Sequence, residues 1–250
     1  MHKPSRLRRC TALAAAFMLT LTTMAGAAGP DAVESGGLTA VQESSVAAKD
    51  YREVREKYAA AGYAAAEETL EVSPADFQIA GEPAAVETGI GGSEREAFVW
   101  KSGDSAVSFV IDVPADALYQ VEVDYYMLDG FSSVAQRRLL IDGALPCSEC
   151  NELSFTRWWK DASEPPVNNL GDQVRPSQEE IRAWRTVRLA DNLGMEEQPL
   201  LFYLTAGRHT VTMEYILQDM AVGAIRFVPP ETYLTYAEYA ENNRQAGYTA

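Results

Sequence analysis

The strongest constraint in this sequence is an alternation that runs through two adjacent segments. Val107, Phe109, Ile111 and Val113 fall on one side, with Ser108, Val110 and Asp112 between them. After Pro114-Ala115-Asp116 the pattern resumes: Tyr119, Val121, Val123 and Tyr125 stand opposite Gln120, Glu122, Asp124 and Tyr126. Successive side chains of a strand leave opposite faces, so a period of two marks a strand with one face in a core. The turn between the two segments, and their spacing, predict a hairpin.

The surrounding chain has the same character. Leu70-Glu71-Val72 opens a series of short strands, and Phe77 to Ile79 continues it. Gly89, Gly91 and Gly92 mark a turn before Phe98-Val99-Trp100. Leu139-Leu140-Ile141 runs into Asp142-Gly143, a turn signal. Leu153, Phe155, Arg157 and Trp159 share one face of the next strand. Trp184 to Leu189, Leu200 to Leu204, His209 to Tyr215 and Ala221 to Val228 complete the set before Pro229-Pro230. Many short strands, Gly/Pro/Asp turns and no helical period predict an all-β fold over residues 69–228: an antiparallel jelly-roll β-sandwich.

The flanks differ. A basic start (Lys3, Arg6, Arg8, Arg9), an apolar run from Ala12 to Thr23 and the small residues Ala25-Gly26-Ala27 predict a secretory signal peptide over residues 1–28. The protein is therefore expected to be secreted, extracellular and associated with the cell surface. Residues 29–68 read as a disordered Gly/Ser/Asp-rich segment followed by an amphipathic linker helix built on Val46, Tyr51, Val54 and Tyr58 and stopped by Gly62. Residues 229–250 read as a second linker helix. Its Tyr236, Glu238, Glu241, Ala246, Gly247, Tyr248 and Ala250 fall, without a gap, on Tyr51, Glu53, Glu56, Ala61, Gly62, Tyr63 and Ala65. A helix repeated at both edges of one sandwich is the mark of a modular chain, so a further module is expected to follow.

The formal charge of the whole chain is −15. Removal of the signal peptide takes away cations and no acid. Nucleic acid and anionic membrane surfaces attract cations, so neither is an expected partner. Cys147 and Cys150 remain in Cys147-Ser148-Glu149-Cys150. A zinc site would need further ligands, and a thioredoxin-type site would need a βαβ setting. In an oxidising compartment the pair is expected to form a local disulfide. His209, beside a turn and the one histidine after the expected signal peptide, reads as a surface residue.

Three of the four tryptophans lie between Arg157 and Trp184, in what reads as a long polar loop interrupting the strands. Loops of this length are often functional. Aromatic faces pack on the apolar side of a pyranose, and planar polar groups bond its hydroxyls. Trp159, Asp161, Asn168, Arg175 and Trp184 are the candidate glycan-binding residues.

Taken in order, Val99-Trp100, Val107 to Val113, Leu118-Tyr119, Tyr125-Tyr126, Leu140-Ile141-Asp142-Gly143, Leu153-x-Phe155-x-Arg157-x-Trp159-x-Asp161, Arg175-Pro176-x-Gln178, Trp184, Pro199-Leu200-x-Phe202-Tyr203-Leu204, Gly207-x-His209-Thr210 and Met220 resemble a family. The resemblance is to galactose-binding-like jelly rolls of carbohydrate-binding-module type, as found at the N-terminus of large secreted solute-binding proteins of bacterial sugar ABC transporters. It implies a non-catalytic module that binds an oligo- or polysaccharide, with the transporter's membrane components engaged through downstream domains. Related modules hold a structural calcium with acids on the first and last strands. Here Glu71 stands in that place, but Gly223 to Phe227 brings no carboxylate, so no cofactor or metal ligand is assigned. Two other readings stay open: a structural spacer or protein-interaction module, and a glycoside hydrolase using two of the many carboxylates.

Overall fold

A computed structural model describes residues 48–81, 84–101, 103–231, 234 and 236–248. The signal peptide expected over 1–28 and the Gly/Ser/Asp-rich segment after it lie outside these residues.

The chain forms the expected antiparallel jelly-roll β-sandwich with a helix at each end. Helix α1 (Tyr51–Ala61) is followed by β1 (Leu70–Val72), β2 (Gln78–Ala80), β3 (Ala84–Glu87), β4 (Ala97–Trp100), β5 (Ala106–Val113), β6 (Ala117–Met127) and β7 (Ala135–Ile141). Then come β8 (Leu153–Phe155), β9 (Trp158–Asp161), β10 (Gln178–Ile181), β11 (Arg185–Arg188), β12 (Phe202–Leu204), β13 (Gly207–Leu217), β14 (Met220–Val228) and helix α2 (Tyr236–Gln245). One sheet runs β11-β6-β14-β4-β3, with β1 added on β14 and β12 on β6; the other runs β2-β5-β13-β7-β8. Every pair in both sheets is antiparallel.

The inward residues are those the alternation marked. Val107, Phe109, Ile111 and Val113 meet Tyr119, Val121, Val123, Tyr125 and Met127 in one buried core, joined by Leu153, Phe155, Phe202, Leu204, Val211, Met213, Ile225 and Phe227. The hairpin expected between β5 and β6 does not form. β5 pairs with β2 and β13, whereas β6 pairs with β14, β11 and β12. Pro114-Ala115-Asp116 carries the chain from one sheet to the other. Strands facing each other across a core alternate just as hairpin partners do, so periodicity alone does not separate the two.

In β14 the inward parity changes, from Met220 and Val222 to Ile225 and Phe227, and its register with β6 shifts between Val222 and Ile225. Such an irregularity re-aims the side chains beyond it.

Helix α1 is seated on the sandwich, more than the linker expected from sequence. Asp50 caps its first turn by accepting the Arg52 N–H at 2.8 Å, and Gly62 ends it at φ 66. Tyr51 is buried, and its hydroxyl accepts the Leu201 N–H at 2.8 Å. The Glu149 carboxylate takes the Tyr51 N–H at 2.9 Å. Tyr63 stacks on Tyr203 with centroids 3.7 Å apart.

Candidate functional site

The segment expected to be a loop from Arg157 to Trp184 is a two-stranded ribbon with a turn at its tip. β9 and β10 pair with Trp159 opposite Glu180 and Asp161 opposite Gln178. Gln178-Glu179-Glu180-Ile181 has no apolar alternation, which is why it did not read as a strand. Arg157 roots the ribbon in the sandwich: its buried guanidinium donates to the carbonyls of Leu128 at 2.9 Å and Ser133 at 3.2 Å and pairs with Glu180. Arg182, paired with Asp129 and Glu180, reinforces that root.

The four tryptophans have different surroundings. Trp100 is buried, with its indole N–H donated to Ser105 Oγ at 2.7 Å and the Arg137 guanidinium 4.4 Å from its centroid. Trp184 is half-buried on the outer face of the larger sheet. It donates to the Ile90 carbonyl at 2.9 Å, packs against Tyr126 at 5.7 Å and lies 5.0 Å below Arg95. The neighbouring Arg185 covers Trp158, 4.1 Å from its centroid. Trp159, 41% exposed, has no ring, cation–π or hydrogen-bond partner among the described residues.

The expected site is thereby divided. Trp159 and Asp161, two residues apart on β9, share a ribbon face, with Gln178 bonded to the Asp161 carboxylate. Gln178 is a polar neighbour that only the β9–β10 pairing brings to the site. Asn168 is half-buried in the tip, where its Oδ1 accepts the N–H groups of Leu170 and Asp172, each at 2.9 Å. It shapes the turn. Arg175 is exposed and has no hydrogen-bond or ion-pair partner among the described residues. Trp184 belongs to a different surface altogether.

That surface is a polar array across β11, β6, β14 and β1. The Arg226 guanidinium grips the buried Asp124 carboxylate with bonds of 3.1 and 3.0 Å and reaches Glu71 at 2.7 Å. Thr186 donates to Asp124 at 2.5 Å, and Arg95 approaches it at 3.6 Å. Burial works to raise the Asp124 pKa, but the bonds from Arg226 and Thr186 and the charges of Arg226 and Arg95 outweigh it, leaving the carboxyl below its ordinary range. Asp124, Arg226 and Arg95 line a shallow depression of about 380 Å³ with Ser73, Pro74, Glu96 and Ala224. Glu71, the acid the resemblance offers to a calcium, has its carboxylate engaged by Arg226, and no three metal-ligating side chains converge among the described residues. The residues at this place do not fit a calcium site.

Cys147 and Cys150 are buried thiols with Sγ atoms 3.3 Å apart. His209 is more than a surface residue. It is largely buried between the Asp142 carboxylate, 2.7 Å from Nδ1, and the Thr205 carbonyl, 2.9 Å from Nε2, so it ties two turns together.

No family model matches the sequence, and no curated protein does. Among solved structures the chain is similar to a GH26-CBM35 β-(1,4)-mannanase of Podospora anserina, with TM-score 0.44 and 13% identity over 68% of this chain and 29% of that one. It is also similar to a family 35 carbohydrate-binding module of Clostridium thermocellum (TM-score 0.34, 11% identity, 66% of this chain and 95% of that one). A third match is a CBM36 carbohydrate-binding module in complex with calcium and xylotriose (TM-score 0.37, 12% identity, 63% of this chain and 98% of that one). At these identities and scores the likeness says nothing about a ligand of this chain.

Proposed function

We propose that this protein is a non-catalytic, extracellular carbohydrate-binding module whose glycan site is the Trp159 face of the β9–β10 ribbon. One observation carries the reading: Trp159 is exposed and unpartnered, beside the Asp161–Gln178 pair on the same face. An indole with an exposed part on a rooted scaffold offers a stacking surface, and the amide and carboxylate beside it offer donors and acceptors for hydroxyls. Arg175, unpaired among the described residues, supplies a cation for an acidic sugar. The wider setting rests on the sequence alone: the signal peptide supports secretion, and the family resemblance supports a role as the N-terminal part of a solute-binding protein for sugar uptake.

The test is calorimetry against a panel of plant and cell-wall oligosaccharides. Trp159→Ala is expected to weaken binding by about 30-fold or more, the scale of an aromatic hot spot, with an unchanged melting temperature. A protein that binds no member of the panel at millimolar concentration is a spacer.

A further inference from the structure

Helices α1 and α2 share one sequence pattern and sit in opposite surroundings. Both carry Tyr, Glu, Glu, Ala, Gly and Tyr at matching positions from Tyr51 to Tyr63 and from Tyr236 to Tyr248. Both close with the same left-handed glycine, Gly62 at φ 66 and Gly247 at φ 86. The two glycines close their helices with the same bond: Gly62 N–H reaches the Ala59 carbonyl at 3.2 Å, and Gly247 N–H reaches the Arg244 carbonyl at 3.1 Å.

In α1 the matching positions do the docking. Tyr51 is 2% exposed and Val54 is 8% exposed. The Tyr51 hydroxyl holds the Leu201 N–H, and Tyr63 lies flat on Tyr203. Tyr58 closes an apolar groove with Leu145, Pro146 and Phe202. In α2 no residue is buried. Tyr236 is 85% exposed, Tyr239 is 56% exposed, and Tyr248 is exposed as well. A helix this short draws its stability from a packed face rather than from propensity, and the face that α1 buries is bare on α2.

We infer that α2 is the docking helix of a second β-sandwich of this same build, joined C-terminal to α2 as this sandwich is joined to α1. That partner presents a backbone N–H to the Tyr236 hydroxyl, an apolar seat to Tyr239, which takes the place of the buried Val54, and an aromatic ring to Tyr248. A second copy of this chain is not the occupant, because its equivalent seat holds its own α1. The Ala64 carbonyl and Ala66 N–H, bonded to Leu118 at 2.8 and 2.9 Å, tie α1 beside that seat, and a tethered helix outcompetes a free one.

The seat on this sandwich is the available probe. In the full chain, residues 51–63 are replaced by the sequence of residues 236–248. A control carries the same replacement in shuffled order. The graft is expected to melt within about 5 °C of the parent and the shuffled control at least twice as far below it. A second graft that retains Val54 and Tyr58 removes the two size mismatches with Tyr239 and Asn243. If this graft also melts with the shuffled control, α2 is not a docking helix of this kind and the inference falls. Sedimentation of the parent is expected to show a monomer at about 100 μM, well above the dissociation constants typical of specific complexes. A dimer abolished by Tyr236→Ala would place α2 on a second copy and overturn the assignment.

Discussion

Arg157 and Glu180 form an ion pair at the root of the β9–β10 ribbon, directly across from Trp159. The cation is buried and also satisfies the carbonyls of Leu128 and Ser133. An isolated two-stranded ribbon has marginal stability, so the direction in which Trp159 faces depends on this anchor.

Arg157→Met is therefore expected to cost about 3–5 kcal/mol, the scale of breaking a buried pair by removing one partner. Urea unfolding measures this cost. Glycan affinity is expected to fall with it, although Trp159 and Asp161 are untouched. Unchanged affinity in a folded variant would show that the ribbon does not need its root to bind.

The His209–Asp142 pair makes stability depend on pH at both ends. Burial opposes the charged imidazole, but Asp142 and the Thr205 carbonyl favour it more, so the His209 pKa is raised. Burial also opposes the Asp142 carboxylate, yet His209 and the Thr210 N–H prevail, so its pKa is lowered. The histidine contribution is fully present below the unfolded value of about 6.5 and is lost as pH rises through the higher folded value. The aspartate contribution is present above about 3.9 and is lost as pH falls through the lower folded value. His209→Asn is expected to flatten the decline in melting temperature between about pH 6 and 8. A decline of equal slope in the variant would place the dependence elsewhere.

What was legible in the sequence follows from what each segment packs against. β5 and the odd-numbered face of β6 lie against a single apolar core, so their alternation survives intact. β7 starts at Ala135, but Gln136-Arg137-Arg138 hid its first half. Arg137 is fully buried, sandwiched 4.4 Å from both Trp100 and Tyr215, and bonded to the Leu217 and Gln218 carbonyls. Nothing in the residue type announces a buried cation. The ribbon was hidden for the opposite reason: with both faces largely wet, β10 needs no apolar period. Trp159 and Asp161 were found together because they are two apart on one strand. Trp184 follows the ribbon in sequence but lies on the outer sheet face, because proximity in sequence carries no information about which face a side chain leaves.

The cysteines yield a prediction that needs no ligand. The two buried thiols face each other at 3.3 Å, and the Cys150 pKa is raised well above its ordinary value by its bond with Cys147 and by burial. In the oxidising setting that the proposed secretion implies, the pair is expected to be bridged. Because the ring is very small, the bridge should add about 2 kcal/mol by chain entropy. Thiol titration of unfolded, unreduced protein is expected to find neither cysteine reactive. Reactive Cys147 and Cys150 would show that the pair stays reduced.

Trp184 separates the ribbon from the outer sheet face as the binding surface. Its indole lies over Gly223, where an added Cβ would come within 3.3 Å of the ring and 2.9 Å of the Asp124 Cβ. Glycine therefore keeps the ring down on the sheet, between the strand and Arg95. Gly223→Ala is expected to cost about 1–3 kcal/mol, as overpacking does, and to red-shift tryptophan emission as the indole lifts. Trp184→Ala removes a half-buried ring and its bond to Ile90, at about 2 kcal/mol. The two share one contact, so the double variant should cost less than the sum of the single ones. Neither change touches Trp159, so glycan affinity is expected to hold in both. If Trp184→Ala abolishes glycan binding in a domain that remains folded, the site lies on the outer face beside Asp124 and Arg226, and the ribbon assignment is wrong.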